Sequence, residues 1–259
     1  MSVGYEASGE IVTITIRRPE RRNAVDLRTA EMLVEAFKTF DDDKSLMVAV
    51  FTGEGGNFCS GADLQALAAG EKKPVLEDGE FAPMGPSRLR LSKPVIAAVE
   101  GYAVAGGLEL ALWADLRVAS RSAVFGVYCR RFGVPLVDLG TIRLPRLIGH
   151  SRASDMILTG RGVKGEEALL FGLANRLVEE GAALDKATSL ARELAAFPQT
   201  CLRNDRRSMH DQWSLNEDEA IANEIRLGLT TIGTGETLSG ASAFTGGQGR
   251  HGVFRSDDR

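Results

Sequence analysis

Two glycine-containing segments hold the residue types that could do chemistry: Asn57-Phe58-Cys59-Ser60-Gly61-Ala62-Asp63-Leu64 and Gly101-Tyr102-Ala103-Val104-Ala105-Gly106-Gly107-Leu108-Glu109-Leu110. Each follows a β-type apolar run and opens a helical one, so each can present backbone N–H groups that no helical turn uses. Two such donors converging on one carbonyl oxygen form an oxyanion hole, which stabilises negative charge that develops only as a reaction proceeds. Taken singly, either segment also reads as a strand-to-helix turn in which glycine merely relieves steric conflict. Glu109 follows Gly106 closely and sits among Leu108, Leu110, Ala111, Leu112 and Trp113. A helix that is apolar nearly all round is buried, and a buried carboxylate is costly unless it has partners or a use. The alternative for Glu109 is a first-turn glutamate favoured by the helix dipole.

The elements that must position these segments alternate along the chain. Residues 10–17 are β-branched and alternating, which predicts a strand, and Asp26 is placed to cap a helix carrying Leu27, Ala30, Leu33, Val34, Phe37 and Phe40 on one face. This is a ββα beginning. Residues 46–52 and 95–99 predict two further strands, each leading into one of the glycine segments. Short strands are expected at 116–119, 124–126 and 174–178, the last after a helix at 164–171. Strands alternating with helices define an α/β domain. From residue 182 the pattern turns helical, at 184–196, 199–212, 215–232 and 236–244. Proline discourages helix through the preceding residue, so the boundary is set at Phe197-Pro198, giving regions 1–197 and 198–259. Gly233-Thr234-Gly235 and Gly246-Gly247-Gln248-Gly249 break the terminal helices, and a mobile tail is expected after Gly249.

Composition narrows the function classes. The chain has 259 residues, 44% hydrophobic and 25% charged, enough to bury a sizeable core. A net charge of -4 argues against bulk nucleic-acid binding, which needs a basic surface. The start of the chain has neither the basic residues nor the apolar length of a signal peptide. The most apolar region is interrupted by Glu100, Glu109 and Asp115, so no membrane span is expected. Cys59, Cys129 and Cys201 are widely spaced, and His150, His210 and His251 show no ligand spacing. A reducing cytoplasm and no metal are expected.

The two glycine segments in this order, with the acid after Gly106, resemble the enoyl-CoA hydratase/isomerase (crotonase) superfamily. The resemblance runs from Arg18-Pro19 and Asn23-Ala24 through both segments to Gly140-Thr141, Arg143-Leu144-Pro145 and Phe171-Gly172-Leu173-Ala174, and is weakest over residues 71–86. It implies a spiral of ββα units followed by a helical region that packs on other subunits, as a homotrimer or dimer of trimers. The substrate it implies is an acyl-CoA thioester, with coenzyme A part of the substrate and no separate cofactor. It assigns the acid/base role to Glu109 and the oxyanion donors to the Ala62 and Gly106 amides. Ala62, Asp63, Leu64 and Gln65 resemble the stretch that contacts coenzyme A, and Arg22, Asn23 and Ala24 join them as substrate-binding residues. The cluster Arg17, Arg18, Arg21 and Arg22 reads either as a solvated face or as a source of phosphate contacts, since arginine suits phosphate geometry.

One departure bears on the reaction. Hydratases of this superfamily usually have a second glutamate after a Phe-Gly pair, and here Phe125-Gly126 leads to Cys129 at that place. Asp138 stands where dienoyl-CoA isomerase relatives carry an extra aspartate, so it either supplies the missing carboxylate or caps the helix beginning near Gly140. Cys129 reads as a small buried thiol, or as a thiolate activated by Arg130 and Arg131. Ser60 has no Gly-x-Ser-x-Gly setting, and neither Gly-x-x-x-x-Gly-Lys-Ser/Thr nor Gly-x-Gly-x-x-Gly occurs, which disfavours hydrolase, nucleotide and nicotinamide chemistry. The leading expectation is an enoyl-CoA hydratase. The rivals are an enoyl-CoA or dienoyl-CoA isomerase, and a non-catalytic acyl-CoA-binding or RNA-binding protein of the same fold.

Overall fold

The computed structural model describes residues 1–79 and 81–249. The expected mobile tail after Gly249 lies outside the described residues. The chain forms two compact units, Met1–Ala195 and Ala196–Arg259.

The first unit opens with β1 (Val3–Ser8), β2 (Ile11–Ile16) and α1 (Leu27–Asp42), then β3 (Val48–Gly53) and the one-turn α2 (Leu64–Ala68). It continues with β4 (Val95–Val99), β5 (Tyr102–Val104), α3 (Gly106–Trp113), β6 (Leu116–Ser120) and β7 (Val124–Gly126). The helices α4 (Gly140–Ile148) and α5 (His150–Thr159) follow, then β8 (Gly162–Lys164), α6 (Gly165–Phe171), β9 (Arg176–Val178) and α7 (Ala183–Ala195). A six-stranded sheet has the order β1-β2-β3-β4-β6-β9, parallel throughout except for the β1–β2 hairpin. A second, three-stranded sheet has the order β5-β7-β8. Successive turns of chain give one strand to each sheet: β4 runs on into β5, and β6 into β7. After β3 the second strand is reduced to one residue, Cys59, bridged to Ala103 of β5. This repetition is the expected spiral of ββα units.

Alternation along the central strands divides the core into two layers. Val48 and Val50 of β3, with Ile96, Ala98 and Val118, face Ala183, Ala187, Leu190 and Ala191 of α7. Ala49 and Phe51, with Ala97, Val99 and Ala119, face the opposite layer with α1 and α3. Strands buried on both faces read as continuous apolar runs, which is why β3 and β4 stand out in the sequence. Phe37 of α1 meets Phe51 of β3 edge-on at 5.2 Å and Trp113 of α3 at 4.6 Å, and Phe51 meets Phe58 at 5.1 Å. These rings fix α1, α3 and the first glycine segment against one sheet face. Asp26 caps α1 by accepting the Thr29 amide, as expected.

The second unit contains α8 (Gln199–Asp211), α9 (Glu217–Gly233) and α10 (Glu236–Thr245). Asn216 and Glu219 close a capping box on α9. The Glu236 carboxylate accepts the Thr200 and Cys201 amides, satisfying the first turn of α8 from α10. Asn204 donates to Thr231 Oγ1 at 2.9 Å, joining α8 to α9. Among the described residues no helix is long and apolar enough to cross a membrane.

Candidate active site

The first glycine segment is braced from the chain that precedes α1. Asn23 is fully buried, and its amide group donates to the Glu54 and Asn57 carbonyls while its Oδ1 accepts the Arg18 amide. Beyond this brace, Val25 bridges Ala62: the Val25 amide donates to the Gly61 carbonyl at 2.8 Å, and the Asp63 amide to the Val25 carbonyl at 2.9 Å. Because successive amides of an extended strand alternate sides, the Ala62 N–H is turned away from Val25. Gly61 adopts φ +100°, and a Cβ there would lie 2.9 Å from Ala105 Cβ and 3.0 Å from the Gly106 nitrogen. The close approach that only glycine allows therefore sets the Gly61–Ala62 peptide against the first residue of α3. Among the described residues, neither the Ala62 nor the Gly106 amide donates to a protein acceptor. The two amides that the sequence singled out lie side by side and unspent.

Glu109 is the buried charge of α3, a helix whose residues are all buried. Its side chain is gripped from the start of α4: Oε1 accepts the Asp138 amide at 2.9 Å and the Gly140 amide at 2.8 Å. Leu139, between them, sits at φ +70°, a sparsely populated conformation that brings both amides to one oxygen. A Cβ on Gly140 would lie 2.7 Å from Glu109 Oε1, so any larger residue there must displace the carboxyl group. The Asp138 carboxyl group has its own donors: Oδ1 accepts the Met84 amide at 3.0 Å and the Ser87 hydroxyl at 2.6 Å. Leu139 occupies the capping position of α4 and no side chain caps that helix, so Asp138 is not a helix cap.

Glu109 and Asp138 are each 2% exposed, and this burial dominates their titration. Loss of water, reinforced by the Asp138 charge, pushes Glu109 up to about 8, against the pull of its two amide donors and Arg143. Burial also raises Asp138, while Ser87, Met84, Lys73 and Arg88 pull it back. Both carboxyl groups are thus raised by burial, and Glu109, at about 8, holds its proton at neutral pH. Cys129 is buried beside them, and loss of water with the Glu109 charge raises its thiol, so it is a neutral small side chain rather than an activated thiolate.

The remaining sequence candidates take different places. The Asp63 side chain caps α2 through the Gln65 and Ala66 amides and pairs with Arg18 at 2.9 Å, so its carboxylate is committed to the scaffold. Arg18 also reaches Asp26 and the Ala24 carbonyl, and Arg17 pairs with Glu6. These two arginines serve internal ion pairs, whereas Arg21 and Arg22 are exposed, Arg22 lying over the Tyr102 ring. Ala24 is buried, and Leu64 and Gln65 are exposed at the start of α2. Met84, Ser87, Lys73 and Arg143 were missed as site residues. Lys73 donates to the Val25 and Pro83 carbonyls, and Arg143 to the Ser87 carbonyl at 2.7 Å. Three of the four lie in or next to the stretch with the weakest resemblance, and Arg143 stood in a quoted motif without a role. Among the described residues no cluster of three His, Cys, Asp or Glu side chains is arranged to hold a metal ion.

The ββα spiral followed by a helical region defines a fold class, and the comparisons identify the family within it. The enoyl-CoA hydratase/isomerase family matches residues 6–248, and the chain belongs to that family. It is 34% identical over 246 residues to an enoyl-CoA hydratase of Mycobacterium tuberculosis, covering 92% of this chain and 91% of that one. It is 43% identical over 198 residues to a carnitinyl-CoA dehydratase of Salmonella arizonae, covering 74% of each. A solved enoyl-CoA hydratase from Mycobacterium marinum superposes with a TM-score of 0.88 at 36% identity, over 94% of this chain and 95% of that one.

Proposed function

We propose that the chain catalyses reversible addition of water across the α,β double bond of an acyl-CoA thioester. The observation that carries this reading is the buried Glu109–Asp138 pair beside the two unspent amides of Ala62 and Gly106. The thioester oxygen accepts both amides, and the charge that moves onto it as the enolate forms strengthens those bonds more than the neutral substrate does. Asp138 accepts a proton from water as the water oxygen bonds to the β-carbon. Glu109 delivers its proton to the α-carbon. Product then leaves Glu109 ionised and Asp138 protonated, and exchange with solvent resets the pair. Dehydration is the same sequence reversed, and relatives bear names for both directions.

In this reading Arg22, Leu64 and Gln65 offer side chains to the coenzyme A portion. Asn23, Ala24 and Asp63 hold the wall behind it, because their side chains are buried or committed. Coenzyme A belongs to the substrate, and no separate cofactor takes part. The exposed apolar residues of the second unit support a homotrimer or dimer of trimers, and three free cysteines suit a reducing cytoplasm. Isomerase chemistry is the second reading, favoured by Cys129 at the place of the usual second glutamate. Following hydration and double-bond migration separately across a series of 2- and 3-enoyl-CoA thioesters tests the proposal. Hydration by wild type and its loss in Glu109→Gln are expected, whereas migration without hydration across the whole series assigns the site to isomerisation.

A further inference from the structure

The two carboxyl groups of the site are held in matching ways by unlike donors. Glu109 Oε1 takes two backbone amides, and Asp138 Oδ1 takes one amide, from Met84, and one hydroxyl, from Ser87. An amide can only donate, so an oxygen receiving donors in this way carries no proton. Any proton on the pair therefore sits on Glu109 Oε2 or Asp138 Oδ2. Ser87 is fully buried in the turn Pro86–Arg88, and its main chain is held where Arg143 donates to its carbonyl at 2.7 Å. Arg143 also donates to the Asp138 carbonyl, so one guanidinium holds the main chain of both partners of this hydroxyl bond.

We propose that Ser87 is a positioning residue of the acid pair: its hydroxyl, sharing Asp138 Oδ1 with the Met84 amide, keeps Asp138 the ionised member and so leaves the shared proton on Glu109. This rests on the hydratase reading above. The charged groups around Asp138 are Lys73 and Arg88 from its own side of the site, Glu109 from α3 and Arg143 from α4; Cys129 adjoins Glu109. Lys73 and Arg88 favour the anion too, but Lys73 also donates to the Val25 and Pro83 carbonyls, and among the described residues the Ser87 hydroxyl is the one side chain that donates to the Asp138 carboxyl group. Charge-assisted bonds of this kind are the stronger class.

Removing the hydroxyl makes Asp138 the weaker acid, so it holds its proton to higher pH. The singly protonated pair then divides between the productive form, with the proton on Glu109, and the reversed form. The acid limb of the kcat profile moves to higher pH and its plateau falls. The alkaline limb, which reports Glu109 ionising beside an Asp138 already charged, stays in place.

The experiment compares wild type, Ser87→Ala and Ser87→Thr, with Ser87→Cys as the variant that fills the same space with a far weaker donor should alanine prevent folding. Crotonyl-CoA hydration is followed as kcat and KM against pH. In parallel, the Asp138 carboxyl carbon is titrated by NMR in protein labelled with 13C-aspartate and free of substrate, its signal identified by absence from Asp138→Asn. The expected result is an Asp138 midpoint displaced to higher pH in Ser87→Ala and restored in Ser87→Thr. With it, kcat falls roughly 10-fold at neutral pH, KM stays nearly unchanged and only the acid limb moves. An Asp138 midpoint that does not move in Ser87→Ala overturns the proposal whatever the rate does, because loss of packing alone lowers rate without moving it. A wild type that hydrates no thioester defeats the hydratase reading instead, and the titration still decides what Ser87 does to Asp138.

Discussion

Glu109 titrates in the field of Asp138, and the consequences reach both rate and stability. A carboxyl group raised from 4.5 to about 8 by folding binds its proton more tightly in the folded chain than in the unfolded one. As pH rises between those values the folded state loses stability, because the unfolded chain gives up this proton to water while the folded chain still holds it. Glu109→Gln therefore raises Tm at pH 8 by on the order of a few degrees and much less at pH 4, a difference that thermal melts at the two pH values check. The same variant keeps the acceptor for the Asp138 and Gly140 amides yet cannot move a proton, so kcat falls ~10²- to 10⁴-fold with KM little changed. Asp138→Asn is expected to suppress hydration as strongly and Cys129→Ser only mildly, because the thiol is neutral and no carboxyl group depends on it; steady-state rates of the two variants check the contrast. Glu109 was legible in the sequence as an acid inside an apolar helix. Asp138 was legible as a candidate second carboxylate, but its donors were not, because the Met84 amide reaches Asp138 across 54 residues of sequence and nothing local marks the Met84 end.

At the scale of elements, the site depends on two turns that deliver backbone amides to fixed points. Gly140→Ala puts a methyl group where the Glu109 carboxyl lies, and displacing that group by about 1 Å costs on the order of 10² in kcat while the melting curve stays cooperative. Gly106→Pro deletes one of the two free amides, and its ring meets the Met84 side chain, where a Cβ alone would lie 2.5 Å from the sulfur, so kcat falls by at least ~10²- to 10³-fold. Ser60→Ala leaves kcat unchanged; measured side by side, the two variants separate oxyanion stabilisation from a serine nucleophile. The strands that carry these turns were readable because they are apolar on both faces. β1 was not anticipated, since it is an edge strand exposed from Tyr5 onward, and α5 buries only Ala153 and Met156, too few to mark a helical face. The strands β5 and β8 are three residues each and give no periodicity to read.

For the whole molecule, the second unit offers apolar side chains out of keeping with a solvated surface: Trp213 is 52% exposed, Leu229 63% and Leu238 73%. On the proposed assembly these residues meet other subunits, and a trimer or dimer of trimers is expected in sedimentation at micromolar concentration, where a stable monomer contradicts it. The helical character of this unit was plain from its sequence, whereas a partner is not, because apolar exposure by itself names none. The central claim is that one water adds across one double bond through an enolate, and isotopes test it directly. Wild type incubated with crotonyl-CoA in a mixture of D₂O and H₂18O should yield 3-hydroxybutyryl-CoA with 18O on the β-carbon and deuterium on the α-carbon. Deuterium entering the recovered thioester, or a migrated double bond, with no 18O incorporated would contradict the account.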